Sequence, residues 1–325
     1  MIKRLSLYIL IALLGIAATG CRHKGFEMEE DASRHLRVVF DWRKAPDADP
    51  ASMVLFLFEK NGGAPIRFVF SGRDGGEISV PYGHYDAIAM NADNTDWALL
   101  RNTAARETFE IYTDRVSAFS LPARADDEEV EQLKNTPGML WTASDGTFSV
   151  MPTDPADLTI TLYPEEAVCH YTVDVYDVEN ITSLEETSLM ATCSGLAEGD
   201  IPFSKAGTDV HETLPFVLTA DKKTNSLHGE FLTFGESPNI YKKNIITIHT
   251  FSGPTMVTTR AEADTTEHKV NAYDFDVSNQ AHLALDPHHV HIVIRGLPLP
   301  RTVVVGSGVR PDVEDWITEN IPLSM

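Results

Sequence analysis

Along the chain, apolar residues sit in short runs that alternate with polar ones, the period of half-buried β-strands. Leu36 to Trp42, Met53 to Phe58 and Ile66 to Phe70 read as strands. The last two are separated by Asn61-Gly62-Gly63-Ala64-Pro65, the residue types a reversing turn demands. Arg73-Asp74-Gly75-Gly76 does the same before Glu77 to Val80, where Ile78 and Val80 share a face. Tyr82-Gly83 opens His84 to Met90, with Tyr85, Ala87 and Ala89 on one side. Turn signals recur at about eight to twelve residues, the spacing of a sandwich or barrel. The pattern resumes at Leu158 to Leu162, breaks at Pro164-Glu165-Glu166, and reopens with Val168 to Val178. Near the end, Val290, Ile292 and Ile294 alternate against His291, Val293 and Arg295. One short helix is expected at Ala125 to Asn135, acidic at its start, with Lys134 near its end and Pro137-Gly138 as a stop.

The N-terminus has a different character. Lys3 and Arg4 precede an apolar run from Leu5 to Ala18, too short for the ~20 residues of a membrane span and therefore read as a signal peptide. It ends in Ala18-Thr19-Gly20-Cys21, which resembles the lipobox of bacterial lipoproteins; Ala18 replaces the usual Leu. Cys21 is then the lipidation site, and several acyl chains at ~0.8 kcal/mol per buried CH₂ make a durable anchor. The organisation expected is a signal peptide over 1–20, a tether over 21–35, a β-domain over 36–163, a second over 164–300, and a tail over 301–325.

The 325 residues carry 26 Lys plus Arg against 48 Asp plus Glu, a formal charge of −22. Such a surface repels nucleic acid and anionic lipid headgroups. An apolar share of 43% is enough for real cores. The chain shows no Gly-rich phosphate loop, HExxH, GxSxG or CxxC motif. His288-His289-Val290-His291 puts His289 and His291 on one strand face, where they could pinch a metal; with no acidic or Cys partner in the motif, a solvent-facing row is the better reading, and no metal is expected. Asn91-Ala92-Asp93-Asn94-Thr95-Asp96 superficially has calcium-loop character, but Asn102 stands where the closing Glu belongs, so a solvated turn is expected. If the segment between Cys169 and Cys193 is a hairpin, the two thiols face each other, and an oxidising compartment permits a disulfide; two buried free thiols are the other possibility.

The segments HLRVVFDWRKAPDADPASMVLFLFEKNGG and FSGRDGGEISVPYGHYDAIAMNAD resemble the first domain of Bacteroidetes fimbrillin-like lipoproteins. GEFLTFGES, NIITIHTFSG, YDFDVSNQ and HIVIRGLPLP resemble the second, in order and spacing. The resemblance implies an all-β fold of two tandem transthyretin-like Greek-key β-sandwiches. It implies a lipid-anchored fimbrial or adhesion subunit of the outer membrane, facing the cell surface, with other fimbrial subunits as partners and no cofactor or catalytic residues. Within that reading Val38, Phe40 and Trp42 line a core edge, and Tyr85 points inward with its hydroxyl at the rim. The tail from Arg301 to Met325 is either a donor strand for a neighbouring subunit or a strand completing its own domain. Two other readings remain: a surface glycan-binding lipoprotein of a nutrient-uptake system, and a secreted hydrolase.

Overall fold

The computed structural model describes residues 33–94, 96–116, 133–155, 157–184, 188–238, 242–252, 268–300 and 316–322. The chain is nearly all β. Its first half forms β1 (Ser33–Phe40), β2 (Ser52–Glu59), β3 (Ile66–Ser71), β4 (Gly75–Pro81), β5 (Gly83–Asn91), β6 (Ala98–Arg101), β7 (Glu110–Thr113), β8 (Trp141–Val150) and β9 (Thr159–Leu162). There follow β10 (Glu165–Glu166), β11 (Cys169–Tyr176), β12 (Ser188–Ala197), β13 (Gly199–Ile201), β14 (Ala206–Gly207), β15 (His211–Asp221), β16 (Ser226–Thr233), β17 (Ile245–Ser252) and β18 (His268–Asp276). A five-residue helix α1 (Ser278–His282) leads to β19 (His289–Arg295), and β20 (Trp316–Pro322) closes the chain. The expected helix at 125–135 falls largely outside the described residues; Leu133 and Lys134 form isolated β-bridges instead.

Two sheets, ordered β4-β1-β9 and β10-β8-β5-β2-β3, stack over one apolar core. Leu36, Val38, Phe40, Ile78, Val80, Ile160 and Leu162 come from the smaller sheet, and Met53, Leu55, Leu57, Tyr85, Ala87 and Ala89 from the larger. Alternation therefore builds a sandwich here, as it must when one face of each strand is buried. Trp42 is buried and its indole N–H donates to the Arg73 carbonyl at 2.8 Å. The buried Tyr85 ring reaches the Pro81 carbonyl through its hydroxyl at 3.0 Å. Gly75 opens β4 at φ +93°, and a Cβ there would stand 2.2 Å from the Val38 carbonyl oxygen. Only glycine meets both demands.

The second half forms one eight-stranded sheet, β19-β11-β16-β15-β12-β17-β18-β20. Side chains from β11, β12, β15, β16, β17, β18 and β19 meet in one cluster, so the sheet folds over on itself. Gly195, at φ +76° in β12, takes the register shift between Cys193 and Leu196, a β-bulge that bends the strand. The fourth sheet, β14-β13-β7-β6, draws strands from both halves.

A third cluster lies on the outer face of the larger first-half sheet. Val54, Phe56, Phe58, Ile88 and Met90 point there and meet Val168, Ala197 and Phe234 from the second half. This explains why β2 reads as an unbroken apolar run: its two faces serve two different cores.

Candidate assembly surfaces

Cys21, the expected lipidation site, lies outside the described residues. The two other cysteines are buried and are not bonded to each other. The hairpin assumed for them does not form, because β16 and β15 stand between β11 and β12 in the sheet. Cys169 pairs across to Thr233, and Cys193 to Leu214 and Ile246. The expected Cys169–Cys193 bond is corrected accordingly. Burial, reinforced by Asp200 and Glu166, pushes the Cys169 thiol up to about 12, so it is a protonated core group.

His289 and His291 lie on the solvent face of β19, as alternation requires, and each ring has a carboxylate. His289 Nδ1 is 3.0 Å from Asp286, and His291 Nε2 is 2.7 Å from one oxygen of Asp174. The other oxygen of Asp174 is 2.8 Å from His228 on β16. His170 stacks flat on His289, with centroids 5.2 Å apart, and bonds to Glu166. Sequence reasoning saw the histidines of β19 but not these acids, which come from β10, β11 and the loop before β19. Asp174 thus straps β19, β11 and β16 together. Burial works to raise its pKa, but the two imidazoles outweigh that and hold it below the ordinary carboxylate value. Reciprocally, the Asp174 carboxylate raises His228. Among the described residues no group of three or more His, Cys, Asp or Glu is placed to hold a metal ion.

Within the 91–96 segment Asp93 and Asp96 are exposed, as a solvated turn requires, but Asn91 and Asn94 are buried. The Asn91 amide accepts from the Trp141 N–H at 3.0 Å and donates to Asp93 and to the Met139 carbonyl. Asp93 in turn accepts from the Ala51 N–H at 2.9 Å. These polar groups serve neighbouring backbone, which is why the loop carries them.

Where the halves meet, a charge network crosses the small sheet. Arg101 on β6 bonds Glu110 on β7 at 2.7 Å through Nε and also reaches Glu198. Lys134, buried, bonds the other oxygen of Glu198 at 2.7 Å and the Thr113 carbonyl at 3.3 Å. Burial works to raise the Glu198 pKa, but Arg101 and Lys134 more than offset it and hold the carboxyl below its usual value. Neither the pairing of β13 with β7 nor this network has a local sequence signal.

At the other end of the large sheet, β20 lies parallel to β18, from His268 opposite Trp316 to Asp274 opposite Pro322. The C-terminal tail therefore contains a strand, and in this structure it occupies an edge of its own chain's sheet.

Stacked sheets, with a five-residue α-helix the longest among the described residues, define an all-β sandwich-type protein. Residues 20–217 match the model of a domain of unknown function, DUF5119, and the chain belongs to that family. No curated protein sequence matches it. A crystal structure described as a candidate adhesin from Bacteroides ovatus is similar with a TM-score of 0.60 at 16% identity, covering 87% of this chain and 98% of that one. One described as a candidate polysaccharide-binding protein from Bacteroides thetaiotaomicron gives 0.50 at 12% identity, covering 87% and 99%. The fimbrial anchor protein Mfa2 from Porphyromonas gingivalis gives 0.47 at 14% identity, covering 81% and 90%. At such identities what these neighbours share with the chain is the fold.

Proposed function

We propose that this chain is a lipid-anchored cell-surface subunit of a fimbrial or adhesive assembly, working by protein–protein contact rather than catalysis. The observation that carries this reading is β20. It is a seven-residue terminal strand held along one edge of a sheet. The backbone bonds it makes to β18 are those that the equivalent strand of another subunit would make, which is the physics of strand addition. A parallel partner also needs a long connection, and β20 is separated from β18 in the chain by residues 277–315, with α1 and β19 among them. The fold likeness to a candidate adhesin agrees with this reading. In the same reading, 36–163 and 164–300 are tandem transthyretin-like domains, Cys21 carries the acyl chains that hold them to the outer membrane, and the partners are other subunits.

The glycan-binding alternative calls for an exposed aromatic platform. Trp42 and Trp141 instead meet edge to face at 6.2 Å, and Trp97 leans on Phe234 at the junction. The fold likeness to a candidate polysaccharide-binding protein is the one observation on that side, and these three tryptophans do not build the platform it calls for.

Two deletions of function test the proposal. Removal of Arg301 to Met325 should leave a membrane-bound protein that no longer co-purifies with other surface subunits; unchanged assembly would remove the donor-strand role. Cys21→Ala should move the protein from membranes to the soluble fraction, and persistent membrane association would remove the anchor.

A further inference from the structure

The outer edge of β19 is the other end of the eight-stranded sheet. Among the described residues β19 pairs with β11 alone, in parallel register from His170 opposite His289 to Tyr176 opposite Arg295. In a parallel ladder, alternate residues turn both backbone groups to the same side. His170 N–H takes the His288 carbonyl, so the even-numbered positions face β11, and His289, His291, Val293 and Arg295 face away. An edge of this kind is a ready template for another strand.

It is closed from within. The Gln280 side chain, on α1, donates from Nε2 to the Val293 carbonyl at 3.0 Å and accepts from the Val293 N–H at Oε1 at 2.8 Å. That two-point bond is what a neighbouring strand would make at the same residue. The Asp286 carbonyl takes the His289 N–H at 3.2 Å. The connection that carries both groups also holds Leu283 and Leu285 out to solvent.

We propose that Gln280 guards β19 against pairing with β19 of a second copy of this chain. The occupant follows from the geometry. The Gln280 amide makes the reciprocal donor-and-acceptor exchange of an antiparallel hydrogen-bonded pair, and a two-fold axis at Val293 lets the same residue of two copies make it. In that register His291 of one copy stands opposite Arg295 of the other. The guard does not depend on the tail acting as a donor; it fixes which edge of the sheet stays shut.

The test is sedimentation of the full chain in a non-ionic detergent over a range of concentrations. Gln280→Ala should tighten self-association by about tenfold or more, the effect of removing two competing hydrogen bonds. Adding Val293→Pro, which deletes an N–H that faces away from β11 and is tolerated on an edge, should abolish that gain. A Gln280→Ala chain that associates no more than wild type, or whose association survives Val293→Pro, overturns the proposal. Should circular dichroism show the Pro variant unfolded, amide exchange at His291 and Val293 in Gln280→Ala decides instead. Protection that rises with protein concentration supports the guard, and exchange independent of concentration refutes it.

Discussion

Asp200 lies on β13, paired with β7 on one side and β14 on the other, and its carboxyl is buried, with no hydrogen-bond partner for Oδ2 among the described residues. Desolvation disfavours the charged form and pushes its pKa from 3.8 up to about 8. A carboxyl raised on folding binds its proton more tightly in the native state. Its contribution to stability is therefore complete below pH 3.8 and is lost progressively as pH rises towards about 8. Asp200→Asn keeps the shape and removes the titration. The variant should match wild type near pH 4 and melt higher than wild type at pH 8, by several degrees in thermal scans. Equal melting curves at both pH values would mean that the carboxyl finds a partner in solution. Glu198 two residues away runs oppositely: its pKa is lowered, so its stabilising effect is present above its unfolded value and is lost on acidification.

At the scale of elements, glycine positions separate conformational demand from space. Gly62 and Gly75 have φ of +89° and +93°, yet a Cβ at Gly62 meets nothing within 4 Å while one at Gly75 meets the Val38 carbonyl. Gly62→Ala should cost about 1 kcal/mol, the left-handed penalty alone. Gly75→Ala should cost clearly more, because β4 must also move off β1, and denaturant midpoints of the two variants give the comparison. The turns that hold these glycines were legible, as were the strands they join, since alternation and turn chemistry are local properties. Val290, Ile292 and Ile294 are buried as alternation requires, and so is Tyr85. What was not legible depended on chain segments distant in sequence. The outer face of β2 is covered by Val168, Ala197 and Phe234. β15 and β16 intervene between Cys169 and Cys193 because strand order in a sheet is not strand order in the chain. The acids beside His289 and His291, and the amide of Gln280 on Val293, arise from the same non-local pairing.

For the whole molecule, the question is whether the two halves unfold together. Phe234 belongs to the second half by sequence, yet it is buried in the cluster built on Val54, Phe56 and Phe58 and lies 6.3 Å from the Trp97 ring. Phe231, three residues earlier, is buried only in the second-half core, against Phe216 and Tyr171. Truncating either to Ala removes similar apolar area and should cost about 3–5 kcal/mol. The losses fall in different places. Phe231→Ala weakens one core and leaves the shared cluster intact, so calorimetry should show that the transition moves down in temperature while the halves remain coupled. Phe234→Ala weakens the contact between halves and leaves their separate cores untouched, so it should broaden or split the transition, as happens when cooperativity between units is lost. The charge network of Arg101, Glu198 and Lys134 would remain across the gap, but its half-buried arm through Arg101 is more open to screening by solvent and salt than the buried Lys134 arm. Raising ionic strength should therefore widen the split in Phe234→Ala while leaving the Phe231→Ala trace nearly unchanged. Were both variants to give a single sharp transition shifted by the same amount, the apolar cluster would not be what couples the halves, and the polar network would carry that role.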